Sequence, residues 1–109
     1  MEKVKNARSI SGSAATSYYL KFNNEYSMPA CISWIDYKGV EKQVISNLLP
    51  GKSSAQKTYF THPFVARDCK TKALLFLTNG VNTDEIVEGK AFGAKAGQRI
   101  YVKIIDGSK

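Results

Sequence analysis

The sequence predicts an all-β fold, a sandwich of about seven or eight short strands. Three observations carry that expectation. Runs rich in aromatic and β-branched residues recur every 8 to 14 residues or so along the chain. Clusters of Gly, Pro and Asn separate them. No window carries an i, i+3, i+4, i+7 apolar stripe with caps, so no helix is expected. At 109 residues the chain has material for one core.

The elements follow in order. Residues 1–15 are polar, rich in Ser, Ala and Lys and without periodicity, and read as a flexible arm. Residues 16–109 read as a single β-sandwich domain. "TSYYLKF" at 16–22 is aromatic and β-prone. "PACISWIDY" at 29–37 is the second run, and "KGV" at 38–40 marks a turn. "EKQVIS" at 41–46 is a short strand ended by "NLLPG". "SSAQKTYF", "FVAR" and "ALLFLT" follow, and "NGVNTDE" at 79–85 is expected as a loop. A weaker strand is expected at "IVEGKAF", 86–92, and "GAKAG" is another turn. "QRIYVKII" alternates, with Ile100, Val102 and Ile104 on one face.

Charge and cysteine content limit the function classes. Sixteen Lys and Arg against nine Asp and Glu leave a formal charge of +7, which favours anionic partners. All but Arg8, Arg67 and Arg99 of those cations are scattered lysines. Base and phosphate readers lean on Arg forks, so nucleic acid is not expected. No apolar run approaches the ~20 residues of a membrane span, and the first fifteen residues lack the apolar stretch of a secretory leader. Cys31 and Cys69 can pair in an oxidising compartment or stay as buried thiols in a reducing one. The sequence leaves the compartment open between cytoplasmic and, if the two pair, secreted.

Enzymatic templates fail on residue content. His62 is the sole histidine, too few for a catalytic or structural zinc site, so neither metal nor cofactor is expected. "GKSS" at 51–54 lacks the upstream glycine of a phosphate loop. Asp84 and Glu85 are adjacent and would point to opposite faces of a strand. The expected protein is not an enzyme.

A binding site is better supported. Trp34, Tyr59, Phe60, His62 and Phe64 fall on consecutive elements. Residues two apart on a strand share a face, so His62 can project with Phe64, and Thr58 with Phe60. An aromatic floor with one hydroxyl and one imidazole suits a proline ring. The alternative is that the aromatics are core and His62 is a satisfied surface group.

"FNN" at 22–24, "WIDYKG" at 34–39, "LLPG" at 48–51 and "TYFTHPFVARD" at 58–68 occur in an order and spacing that resembles the von Hippel–Lindau β-domain family, with about one inserted residue between Gly39 and Pro50. The resemblance spans roughly residues 17–78. It implies a sandwich of about seven strands that binds a hydroxyproline-bearing peptide. In the family's tumour suppressor that peptide comes from hypoxia-inducible factor. Carried over, Trp34 and Phe64 become pocket walls, and Thr58 and His62 the hydroxyl-binding groups. The pocket tyrosine falls at or beside Ile45, so its phenol is lost, at a cost on the order of 1 kcal/mol through an unpaired peptide group. The tumour suppressor continues into a helical domain that binds elongin C. The residues after the last predicted strand cannot supply one, so elongin C is not an expected partner.

The expectation is a non-enzymatic binding module for an extended peptide or protein segment, proline- or hydroxyproline-bearing. Its ligand-binding residues would be Trp34, Thr58, Tyr59, His62 and Phe64. The alternative is a secreted or periplasmic basic sandwich meeting an anionic surface, whether glycan, lipid headgroup or nucleic acid.

Overall fold

The computed structural model describes Ser9, residues 17–89 and residues 92–106. The expected flexible arm, residues 1–15, lies outside the described residues except for Ser9. The described residues form eight strands and no helix, and hence no helix long and apolar enough to cross a membrane. The strands are β1 (Ser17–Asn24), β2 (Ala30–Ile35), β3 (Glu41–Leu48), β4 (Ser53–Tyr59), β5 (Phe64–Asp68), β6 (Phe76–Thr78), β7 (Thr83–Asp84) and β8 (Arg99–Ile105).

They make two packed sheets, one ordered β4-β1-β8-β6-β7 and the other β3-β2-β5. Side chains alternate across each strand, so each sheet offers one apolar face. Tyr18, Leu20 and Phe22 of β1, Val102 and Ile104 of β8 and Leu77 of β6 come from the larger sheet. Ala30, Ile32, Phe64 and Ala66 meet them from the smaller. β1 pairs antiparallel with β4 and parallel with β8, which places the chain's last strand beside its first.

Two expectations change here. Among the described residues of the expected strand 86–92, which leave out residues 90 and 91, no strand forms, and Val87 makes an isolated bridge to Phe64. The chain turns directly afterwards, with Phe92 N–H donating to Glu88 C=O and Ala94 N–H to Gly89 C=O, and Phe92 enters the core. Gly89 is required where it stands, because a Cβ there would lie 2.6 Å from the buried Tyr18 ring. Within the expected loop 79–85, Asn79 Oδ1 accepts from Val81 and Asn82 N–H, and Gly80 takes φ +91°. That tight turn returns the chain as β7 against β6.

Polar side chains lock the frame. Asn24 Nδ2 donates to Met28 and Leu48 C=O, while its Oδ1 accepts from Tyr26 N–H. Asp68 accepts from the Tyr26 hydroxyl at 2.7 Å and from Lys70 and Thr71 N–H. These bonds hold the Asp68 carboxyl below its usual range, and the same contact pushes Tyr26 up to about 12. Arg67 of β5 reaches across β2 to β3 in a two-pronged pair with Glu41, at 2.9 and 2.8 Å, and also donates to Lys72 C=O.

Cys31 of β2 and Cys69, just after β5, are disulfide-bonded, with Cα atoms 5.2 Å apart. The bridge closes a loop of sequence separation 38. Chain entropy puts its contribution at about 4 kcal/mol. The native protein should show no thiol reactive with Ellman's reagent, and a Cys31→Ser/Cys69→Ser variant should lose about 2–4 kcal/mol in urea unfolding. Two reactive thiols in the native protein would overturn this.

Candidate functional site

The site is built where the edge of the larger sheet meets the face of the smaller. β4 is an edge strand, and its residues 56–59 border β2 and β3. Trp34, Val44, Gln56, Lys57, Thr58, Tyr59, His62 and Phe64 line an open, largely apolar groove of about 180 Å³. That is smaller than the roughly 300–1,000 Å³ of drug-sized pockets, and suits one side chain of a longer ligand. The structure brings all five sequence-expected residues into this groove.

Each arrives for a local reason. Trp34 and Phe64 are register partners on β2 and β5. Phe64 is only 2% exposed and stacks at a tilt against Phe22, with ring centroids 6.1 Å apart. So deep a ring lies at the floor of the groove, where the resemblance implies a wall, and its backbone pairs with Val87. Thr58 points inward from β4, opposite Tyr18. Tyr59 is 40% exposed and forms the rim. His62 follows in a turn closed by its N–H donating to Tyr59 C=O.

The imidazole is held in a cage of rings. Trp34 lies 5.3 Å away at a tilt of 31°, and Tyr59 and Tyr37 meet it edge-on at 5.3 and 5.6 Å. The Tyr37 hydroxyl stands 3.3 Å from Nε2. Burial among these rings lowers the His62 pKa below 6.5. A neutral imidazole can both donate and accept, which suits a ligand hydroxyl. The His62 proton resonances should titrate with a midpoint below 6.5; a midpoint at or above it would mean the ring faces water. Because the folded pKa is depressed, the unfolded chain takes up the proton first. Stability should therefore fall as pH drops below about 6.5 and level off below the folded-state pKa.

At the position expected at or beside Ile45, the structure distinguishes the two neighbours. Ile45 packs against the core, and its neighbour Val44 lines the groove. The pairing of β2 with β3 slips between Ile32↔Ile45 and Ser33↔Gln43, leaving Val44 unpaired. A bulge breaks strict alternation and re-aims one side chain. A second slip lies between Ala30↔Leu48 and Ile32↔Ile45, where Asn47 takes φ 57°.

Val44, Gln56 and Lys57 of the lining were missed from the sequence, as were Tyr37 and Ser9, which hold its side chains. Tyr37 sits on the β2–β3 turn, which Asp36 Oδ1 closes by accepting from Lys38 and Val40 N–H. Its place three residues after Trp34, in a turn with Gly39 at φ 83°, was a usable signal. Ser9 had none, being 25 residues from Trp34 in the polar arm. Its hydroxyl accepts from Trp34 Nε1 and donates to Ile35 C=O, both at 2.6 Å. Ser9 N–H donates to Asp36 C=O, so the wall indole is pinned from behind.

Among the described residues no cluster of His, Cys, Asp and Glu could hold a metal. A search of the curated proteins finds no match. The family model described as VHL beta domain matches residues 11–89, more than half the chain and further in both directions than the recognisable motifs. That family is a non-enzymatic, substrate-binding β module whose substrates are proteins. With the two-sheet sandwich and this match over residues 11–89, the chain belongs to the von Hippel–Lindau β-domain family.

Proposed function

We propose that this chain is a non-enzymatic module that binds an extended protein segment and seats one proline or hydroxyproline ring in the groove. The observation that carries the reading is the convergence of Trp34, Thr58, Tyr59, His62 and Phe64 on one small open groove. The rings give the pyrrolidine apolar contact. The Thr58 hydroxyl and neutral His62 stand ready to hold a 4-hydroxyl. Val44 supplies no hydrogen bond, but the Tyr37 phenol reaches the imidazole from the opposite turn and returns one polar group to the site. β4 is an edge strand, so the segment's backbone can pair along it. The Cys31–Cys69 bridge supports an oxidising compartment as the place of action.

Calorimetric titration tests this with an extended peptide carrying one central proline, and with its 4-hydroxyproline form. The hydroxylated peptide should bind more tightly, and His62→Ala should remove that preference. Silence from both peptides would sink the proposal.

A further inference from the structure

We propose that the outer face of the larger sheet binds single-stranded nucleic acid, at a site that meets the groove only at Lys57. The lysines that look scattered along the chain are aligned here by strand register. Lys57 of β4, Tyr19 of β1 and Arg99 of β8 form one row across three adjacent strands. Lys21 and Tyr101 form the next, beside Ala55. Lys103 continues the cationic side in a third row, where it contacts Glu25 at 3.7 Å.

The face is open and predominantly cationic. Tyr101 is 60% exposed and Tyr19 38%. β4, β1 and β8 contain no Asp or Glu; among the described residues Glu25, just past β1, contacts Lys103 on this side, and Asp84 of β7 lies at the far edge of the sheet. Lys21 Nζ lies 5.9 Å from the centre of the Tyr101 ring, a cation over an aromatic face. Strand geometry separates the Cα atoms of Tyr19 and Tyr101 by about 8 Å, room for one base on each ring.

The alternation of ring and cation favours nucleic acid over other polyanions. A single strand presents flat bases and anionic phosphates in turn, which matches rings and cations set in the same rows. A sulfated glycan would engage the cations but has no aromatic face to stack on the tyrosines. Steering by the +7 net charge adds to either.

The test is fluorescence anisotropy of a labelled short oligothymidylate, with a heparin-derived oligosaccharide as the comparison. Oligothymidylate should bind with a log K against log salt slope of about −2 to −3, as three or four cations on a single strand imply. Tyr19→Ala and Tyr101→Ala should each weaken it on the order of tenfold. Tyr101→Phe should bind nearly as well as the parent, separating stacking from misfolding, and circular dichroism of each variant checks the fold. Binding of heparin without oligothymidylate, binding of neither, or tyrosine variants with undiminished affinity would overturn the proposal.

Discussion

Trp34→Ala should weaken binding of the proline-bearing peptide by about 2–4 kcal/mol, roughly 30- to 1,000-fold, because it removes a central aromatic anchor. Trp34 carries the site in three ways. It forms a wall of the groove, it stacks on His62 at 5.3 Å, and its indole N–H is anchored by Ser9. The change should leave the sandwich intact, since Trp34 packs on the margin of the core and is not among its fully buried residues. Trp34→Phe keeps a ring and loses the Ser9 bond, and should fall between the two. Unchanged affinity in a Trp34→Ala protein with the parent's circular dichroism would remove the groove from consideration.

Arg67→Ala should have the largest effect on stability, about 3–5 kcal/mol, because it strips the partner from a mostly buried carboxylate. β3 explains the size. Its residues are mainly exposed, and only Leu48 and Ile45 join the core or its margin. The strand is therefore held by its ladder to β2, by Asn24 and by the Arg67–Glu41 fork. Such a loss is a large part of the roughly 5–15 kcal/mol that stabilises an ordinary domain. Arg67→Lys should recover only part, since an ammonium cannot make the paired contact. Arg67→Met with Glu41→Leu should recover most, because no charge is then left buried. Urea midpoints within 1 kcal/mol of the parent for Arg67→Ala would show that the fork adds little. Groove binding should fall in step with stability, since β3 carries Val44.

Much of the fold was legible because β alternation is a local property. Each core strand states its buried face in its own residues, as in Ile100, Val102 and Ile104 of β8, and Gly and Asn mark the turns between them. The five candidate residues were legible for a related reason. Thr58 to Phe64 lie within one strand–turn–strand unit, and Trp34 is the register partner of its last member. Where prediction failed, a non-local contact overrode local preference. In the described part of the β-prone run 86–92, Val87 makes one bridge, and Phe92, whose N–H donates to Glu88 C=O, is buried in the core.

By itself, then, the sequence determined the all-β class and the approximate positions of most strands along the chain, and it picked out five of the groove's lining residues, since these rest on patterns spanning a few residues. Tertiary structure alone decided three things. A bulge put Val44 rather than Ile45 in the groove, because one unpaired residue reverses alternation. Packing against Phe22 across the two sheets set Phe64 at the floor of the groove. Parallel pairing of β1 with β8 gathered distant lysines and tyrosines onto one face. Each depends on which strand lies beside which, and that choice follows from burying the whole core at once, not from any single segment.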